Sequence, residues 1–88
     1  MTIEFDPAKD VSNLAKHGLS LAEAEGFEWE TAMVREDTRN VYGEQRFEAI
    51  GYIGNRLHVT VFCLLGNTVR IISLRKANQR EVNRYAKT

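Results

Sequence analysis

Cationic side chains stand at both ends of an apolar segment in the last third of the sequence. Residues 70–76 read RIISLRK, with Arg70 before the apolar run and Arg75 and Lys76 after it. A guanidinium group presents a planar fork of N–H donors that matches phosphate oxygens, so the pattern is typical of an anion-binding site. Charged residues also protect the ends and edges of sheets from aggregation, and this segment alone does not decide between the two interpretations.

Other positions supply groups that could transfer protons beside these cations. Glu44 and Arg46 flank the predicted start of a strand, and His17 stands at the predicted end of a helix. Cleavage of RNA by attack of a 2′-hydroxyl on the adjacent phosphate needs a base, an acid and cations around the transition state, but no metal. Glu44 and His17 could be the base and the acid, and the cations could be Arg46, Arg70 and Arg75, with Lys76 and Arg80 as RNA-binding residues.

Each of these residues also has a purely structural interpretation. An imidazolium at a helix C-terminus is favoured by the helix dipole, which would account for His17. Glu44 and Arg46 could form a surface ion pair that contributes little to stability. The cations around residues 70–76 could protect the ends of a strand. Because many basic α+β domains offer such a set, spacing alone leaves both interpretations open.

The remaining reactive side chains favour structural roles. Cys63 is the only cysteine, so it cannot form an internal disulfide, and it falls in the apolar phase of a strand as a small buried side chain would. His58 is expected to pack across strands and Tyr85 to anchor the last helix. The sequence has no nucleotide-binding or zinc-binding motif, so we expect neither a cofactor nor a metal.

Composition and charge indicate one soluble domain with an uneven charge distribution. The 88 residues have 43% apolar and 27% charged side chains, which is ordinary for a globular protein, and we expect a single domain over residues 1–88. Residues 1–44 carry 4 Lys/Arg and 10 Asp/Glu, a net charge of −6, whereas residues 45–88 carry 8 and 2, a net charge of +6. A basic half can attract phosphates although the whole chain is neutral; alternatively, the two halves attract each other. Without an apolar run of membrane length or a signal peptide, the sequence predicts a cytoplasmic protein.

The pattern of the first half predicts a strand followed by two helices. Residues 2–5 alternate as a strand, and Asp6–Pro7 then opens a helix that ends at His17–Gly18, with apolar residues at helical spacing at Ala8, Val11, Leu14 and Ala15. Ser20 and Glu23 form a capping-box pattern that predicts a second helix through about Trp29.

The second half predicts strands joined by tight turns. Residues 31–37 are a possible strand and residues 38–44 a turn around Gly43. Strands at 46–53, 56–65 and 68–75 are separated by two Gly-Asn turn signals, and a polar helix closes the chain, with Val82 and Tyr85 spaced to pack on the sheet. We therefore expect an α+β fold in which two N-terminal helices pack on one face of an antiparallel sheet, in the order β-α-α-β-β-β-β-α, and the opposite face is open.

Three blocks of the sequence resemble the BrnT family of bacterial type II toxins. Residues 5–24, FDPAKDVSNLAKHGLSLAEA, resemble its opening, which carries the pattern D-P-x-K…N-x-x-K-H-G. Residues 42–62 resemble its middle, with a G-E-x-R-F-x-A-I-G core, and residues 70–85 resemble its ending, R-I-I-S-x-R-K-A-x-x-x-E. The blocks follow the order of the family and cover most of the chain.

This resemblance implies a RelE-like ribonuclease fold and a metal-independent RNA-cleaving activity that arrests growth. It also implies a cognate BrnA-type antitoxin with a ribbon-helix-helix DNA-binding part. Toxin and antitoxin would form a hetero-oligomer, expected to be a tetramer, that binds operator DNA through the antitoxin. The positions that match the family blocks are the ones selected above on chemical grounds: His17, Glu44, Arg46, Arg70, Arg75 and Lys76.

Two other functions stay open from the sequence. The chain could be a catalytically inactive toxin homologue that only joins its antitoxin as a co-repressor in a DNA-binding complex. It could also be an RNA-binding module without cleavage. Loss of cleavage in Arg75→Ala or Glu44→Ala would favour the enzyme over both.

Overall fold

A computed structural model describes residues 2–39, 41 and 43–88 and has a five-stranded mixed sheet with helical segments on both faces. The elements are β1 (Thr2–Glu4), α1 (Pro7–His17), two 3₁₀ segments (Leu21–Gly26 and Trp29–Thr31), β2 (Met33–Asp37), β3 (Arg46–Ile53), β4 (Arg56–Leu65), β5 (Thr68–Lys76) and α2 (Gln79–Ala86). The strand order is β1-β5-β4-β3-β2. The predicted α+β class is confirmed. In the described part of the chain, no helix combines the length and the apolar character that a membrane crossing requires.

The predicted ends of α1 are confirmed because local capping groups define them. The Asp6 carboxylate accepts the N–H of Ala8 at 2.9 Å, and Pro7 is the first helical residue. At the other end, Gly18 adopts the left-handed conformation with φ of 72°, and its N–H donates to the carbonyl of Leu14. Glycine is favoured there because a Cβ atom disfavours positive φ.

The packing of α1 differs from the apolar stripe expected from the sequence. Val11 and Leu14 are 70% and 53% exposed, and the buried residue of the helix is Asn13. The Asn13 amide group donates to the carbonyl of Leu74 at 2.8 Å and accepts the N–H of Leu74 at 3.1 Å. Because β1 pairs with β5 only as far as Arg70, the edge of β5 beyond that point needs other partners. Asn13 satisfies it as a neighbouring strand would.

The predicted second α-helix is wrong, and 3₁₀ segments take its place. Leu21, Ala24 and Phe27 are buried and recur every third residue, which matches the three residues per turn of a 3₁₀ helix. Ser20 caps the first segment through the N–H of Ala22, as expected. The Asp10 carboxylate, and not Glu23, completes the cap by accepting from the Ser20 hydroxyl and the Leu21 N–H. Past Gly26 the chain leaves the helical path, because Phe27 forms a bridge with Ile53 of β3.

We had expected an antiparallel sheet, but the sheet is mixed. β1 pairs in parallel with β5, with Ile3 beside Val69, while β2, β3, β4 and β5 pair antiparallel. The two hairpins fall at the predicted Gly-Asn turns, where Gly54 and Gly66 both have φ of 61°. Gly43 also has a positive φ of 75°, but the rest of the predicted turn includes Asn40 and Tyr42, which lie outside the described residues. The RelE-like assignment stays a prediction.

The sheet is covered on both faces, so the predicted open face is only partly open. The 3₁₀ segments pack on one face against a core of Leu21, Ala24, Phe27, Ala49, Phe62, Val69, Ile71 and Leu74. On the other face, Val82 and Tyr85 of α2 pack on a smaller core of Ile50, Leu57, Val59 and Ala77. The predicted contact of α2 with the sheet is thereby confirmed. The remainder of that second face carries charged side chains.

Candidate functional site

Charged side chains from three strands and α2, with Cys63 of β4 and Ser73 of β5, line the part of the sheet that α2 does not cover. Cross-strand pairing brings them to one side: Arg35 lies opposite Glu48, Glu48 opposite Val61, and Val61 opposite Ser73. We call this surface the charged face. Its members are Arg35, Asp37, Arg46, Glu48, Cys63, Arg70, Ser73 and Arg75 of the strands, with Glu81 and Arg84 of α2.

Arg75 lies beside α2, where Glu81 holds its guanidinium group through two hydrogen bonds. Nη1 donates to Oε1 and Nη2 donates to Oε2, each at 2.7 Å. Oε1 of Glu81 also accepts the N–H of Asn78 at 2.9 Å, while the Asn78 side chain accepts the N–H of Glu81. This capping box begins α2, so the first turn of the helix sets the orientation of Arg75.

The two charges of this pair stabilise each other. The hydrogen bonds from Arg75 lower the pKa of the Glu81 carboxyl; burial opposes this effect, and the Asn78 N–H adds to it. The same hydrogen bonds raise the pKa of Arg75 further above its already high value. Both groups are therefore charged at neutral pH, although Glu81 is buried.

Arg75 keeps donors for a ligand in spite of this pairing. A guanidinium group has five N–H donors, of which Glu81 takes two and the carbonyl of Lys76 takes a third at 3.4 Å. Within the described part of the chain, the two remaining donors have no acceptor, and the side chain is 32% exposed. Arg75 can therefore meet the oxygens of an anion without leaving Glu81.

Glu48 occupies the middle of the charged face and was missed by the sequence analysis. Its carboxylate is buried and lies 3.0 Å from Arg35 and 3.4 Å from Arg84, so it connects β2, β3 and α2. A signal was present, because Glu48 shares the alternation phase of Arg46 and Ile50, and a carboxylate pointing into a sheet needs cationic partners. Those partners are far away in the sequence and could not be identified from it.

A second group of charges surrounds Cys63. The Glu44 carboxylate lies 3.5 Å from Arg46, and Arg70 lies 3.0 Å from Glu4 of β1. Burial raises the pKa of the Cys63 thiol, and a hydrogen bond with Glu44 raises it further, while the charges of Arg70 and Arg46 act in the opposite sense. Cys63 is buried, as predicted, and its thiol stays protonated at neutral pH. Glu44, Arg46 and Arg70 are thus brought together.

The two groups lie at opposite ends of the charged face. Arg70 and Arg75 are five residues apart on β5, which corresponds to roughly 15 Å along a strand. Arg70 belongs with Glu44 and Arg46, and Arg75 belongs with Glu81. A single phosphate bound beside one of these arginines is therefore distant from the backbone of the other arginine.

His17 lies at the Arg75 end, beside the edge of β5. Desolvation lowers the pKa of its imidazole, and the positive charges of Lys16 and Arg75 lower it further. The side chain is therefore mainly neutral at pH 7. The structure brings His17 within electrostatic range of Arg75, and Glu44 belongs to the other group.

Of the two predicted RNA-binding residues, Lys76 lies away from the charged face. Lys76 pairs with His58 across β4, so its side chain points to the face opposite that of Arg75. Arg80 is exposed in the first turn of α2. His58 is buried, with Nδ1 2.8 Å from the carbonyl of Arg56, and Tyr85 donates to the carbonyl of Thr31. Across residues 2–39, 41 and 43–88, no three His, Cys, Asp or Glu side chains converge as a metal site would require.

The fold and the charged face define a small α+β protein with several guanidinium groups on one face of its sheet. Residues 5–81 of the chain match the family described as the ribonuclease toxin BrnT of type II toxin–antitoxin systems. The chain therefore belongs to the BrnT family, and the resemblance found in its three sequence blocks is confirmed. Membership makes it a ribonuclease toxin whose system includes an antitoxin. A comparison with curated proteins finds no match.

Proposed function

We propose that this protein is a cytoplasmic endoribonuclease toxin that cleaves RNA without a metal ion and thereby arrests growth. The observation that carries the proposal is the state of Arg75. Its guanidinium group is oriented by buried Glu81, is 32% exposed and retains N–H donors that no described residue accepts. Donors held in place before substrate arrives stabilise the charge of a phosphoryl transition state without reorganisation.

In the proposed reaction, the 2′-oxygen attacks the adjacent phosphorus. The proton of the 2′-hydroxyl goes to a base as the new O–P bond forms, and an acid protonates the 5′-oxygen as its bond to phosphorus breaks. His17 is proposed for one of these transfers, because it lies near Arg75 and its lowered pKa keeps much of it neutral. Arg75 would stabilise the charge on the phosphoryl oxygens.

The second group of charges, around Cys63, would bind a flanking part of the RNA. Arg46 and Arg70 lie at the opposite end of the charged face, where Glu44 pairs with Arg46 and shares a hydrogen bond with the Cys63 thiol. The distance of roughly 15 Å along β5 favours contact with a phosphate other than the scissile one. Because Glu44 lies at this end, it would be distant from the scissile phosphate at Arg75. It stays a candidate for proton transfer only if the RNA extends across the whole charged face.

The proposed partner is a BrnA-type antitoxin with a ribbon-helix-helix DNA-binding part. Family membership supports an antitoxin, and the charged face is the surface whose coverage would stop cleavage. We propose that the two proteins form a tetrameric hetero-oligomer that reaches operator DNA through the antitoxin. Expression of the toxin alone should arrest growth, and expression with a ribbon-helix-helix protein encoded beside it should restore growth.

A second candidate function is that of an inactive toxin homologue that acts as a co-repressor with its antitoxin. One observation favours it: the arginines of the charged face already have carboxylate partners. Arg35 pairs with Glu48, Arg46 with Glu44, Arg70 with Glu4, and Arg75 with Glu81. A phosphate would have to share these guanidinium groups with existing partners, which weakens its binding.

Incubation of the purified protein with total RNA in the presence of a chelator tests the enzyme against the co-repressor. Arg75→Lys is the informative variant, because it keeps a positive charge for Glu81 but loses the planar fork. Arg56→Lys makes the same change at an exposed hairpin position and serves as the control. We expect cleavage by the parent and the control and at least tenfold slower cleavage by Arg75→Lys.

Equal cleavage by all three proteins would contradict the assignment of Arg75. If none of them cleaves while all are folded, the assay is repeated with translating ribosomes. Cleavage there would indicate a ribosome-dependent toxin, and continued inactivity would favour the co-repressor.

A further inference from the structure

A groove runs between α1 and the edge of β5, beside the charged face, with which it shares Ser73. Lys9, Ser12, Lys16 and His17 line it from the helix, and Ser73 lines it from the strand. Its cavity volume is about 230 Å³. Lys9, Ser12 and Lys16 follow each other at intervals of three and four residues, so they project from one side of the helix. Asn13 and Ile72 complete the lining, so two lysines, a histidine and two serines stand around one small groove.

The groove exists because of two features of the backbone. Asn13 attaches the helix to the backbone of Leu74 through both its amide donor and its amide oxygen. Next to that point, β5 carries an extra residue: Ser73 pairs with Val61 and Ile71 pairs with Phe62, which leaves Ile72 between them. Such a bulge re-aims the side chains around it and is common beside functional sites. The walls are thus held by hydrogen bonds and strand pairing.

The lysines of the groove differ from the arginines of the charged face in their partners. Over residues 2–39, 41 and 43–88, no carboxylate lies within 4.0 Å of the ammonium group of Lys9 or Lys16. Asp10, the nearest acid in the sequence, is occupied by Ser20 and the Leu21 N–H. These lysines can accept an anion without displacing a carboxylate from either ammonium group.

The groove is electrostatically continuous with Arg75. The charges of Lys16 and Arg75 both lower the pKa of His17, so the helix side of the groove and the end of the charged face act on one imidazole. A polyanion that lies along the groove would reach Arg75 next. Because a nucleic-acid backbone places charges at regular intervals, it fits a row of cations better than a single small anion does.

We propose that this groove binds a backbone phosphate of single-stranded RNA, next to the phosphate that meets Arg75. Lys9 and Lys16 neutralise the phosphate, and the hydroxyls of Ser12 and Ser73 donate to its oxygens. The inference rests on the proposed function, since it extends the path of the same RNA. It adds a binding site for an RNA phosphate between α1 and the edge of β5, beside the charged face.

The test uses an RNA oligonucleotide with 2′-O-methyl groups, which binds but cannot be cleaved by 2′-hydroxyl attack. Its affinity is measured by fluorescence anisotropy over a range of salt concentrations for the parent and for Lys9→Gln/Lys16→Gln. The control is Arg56→Gln/Lys87→Gln, which removes the same charge at two exposed positions away from the groove. Urea unfolding verifies that all three are folded.

We expect the groove variant to bind roughly tenfold more weakly, with a salt slope less steep by about 1.4, as loss of two phosphate contacts on a single strand predicts. The control should bind like the parent. In NMR titrations, the RNA should raise the pKa of His17 in the parent and raise it less in the groove variant.

The inference would be overturned if the groove variant and the control bound RNA with equal affinity and with equal salt dependence. That result would also be found if the groove received an acidic segment of a protein partner in place of RNA. Cleavage of unmodified RNA is measured in parallel. If the parent cleaves RNA while groove and control variants bind alike, only the groove assignment fails. If the parent cleaves RNA neither alone nor with translating ribosomes, but its binding depends on Lys9 and Lys16, the groove stands and the catalytic proposal fails.

Discussion

Replacing Glu81 by glutamine should show how firmly Arg75 is held. Glutamine has the same shape and can still accept the Asn78 N–H, but its amide group would place N–H donors against an Arg75 donor. One of two hydrogen bonds of 2.7 Å is lost, together with the charge attraction. Hydrogen bonds to charged groups are worth about 1.5–3 kcal/mol, and the exposure of Arg75, 32%, reduces the value. We expect a loss of about 2 kcal/mol in the free energy of unfolding at neutral pH.

The loss should depend on pH with a definite sign. Because the pKa of Glu81 is lowered in the folded protein, its contribution is complete above the ordinary carboxyl pKa of about 4.3 and is lost as the pH falls through the lower, folded value. Below that value the parent carries a neutral Glu81 and resembles the variant. The difference between the two proteins should therefore shrink toward zero in acid.

Urea unfolding of both proteins, from about pH 7 to about pH 3, measures this difference directly. Other carboxylates titrate in both proteins and cancel. Glu25→Gln is the control, because it makes the same charge change at an exposed position of the first 3₁₀ segment. A difference between parent and Glu81→Gln that stays constant over this range, or that Glu25→Gln reproduces, would refute the argument.

Further substitutions test the packing and the electrostatics around the site. Asn13→Ala should lower the free energy of unfolding by about 3 kcal/mol, because it leaves backbone groups at the edge of β5 without partners; a loss below 1 kcal/mol in urea unfolding would contradict this. Gly51→Ala should cost about 1–3 kcal/mol in thermal unfolding, because its Cβ would lie 2.7 Å from a buried aromatic ring; the control Gly26→Ala, whose nearest contact is 3.5 Å, should be tolerated. Equal costs would count against the ring contact. Arg75→Gln should raise the pKa of His17 in an NMR titration, since it removes a nearby positive charge. An unchanged pKa would show that the charge of Arg75 does not act on His17.

Features that depend on neighbouring residues were predictable from the sequence. The ends of α1 follow from Asp6, Pro7 and Gly18, each of which acts within one turn of the helix. The hairpins follow from two Gly-Asn pairs, because a two-residue turn sets the pairing of its strands. The choice of Arg75 as a site candidate rested on chemistry, and its exposed donors keep it a candidate.

Features that depend on distant residues were not predictable. Asn13 is a polar residue of an amphipathic helix until it meets the backbone of Leu74, 61 residues later. The exposed Val11 and Leu14 follow from that, because a side chain and not an apolar stripe attaches the helix. The same holds for Glu48, whose cations come from β2 and from α2.

The opposite charges of the two halves of the chain are only partly used to hold them together. Among the described ion pairs, those of Arg70 with Glu4 and of Arg46 with Glu44 join a cation of residues 45–88 to an acid of residues 1–44. The acids of the 3₁₀ region, Glu23, Glu25, Glu28 and Glu30, stay exposed. They lie with the core opposite the charged face, so an approaching polyanion is repelled from that side and attracted to the side of Arg75 and the groove. A chain with no net charge can thus still attract a polyanion to one side, because the charge of each face, and not the net charge, sets the local potential.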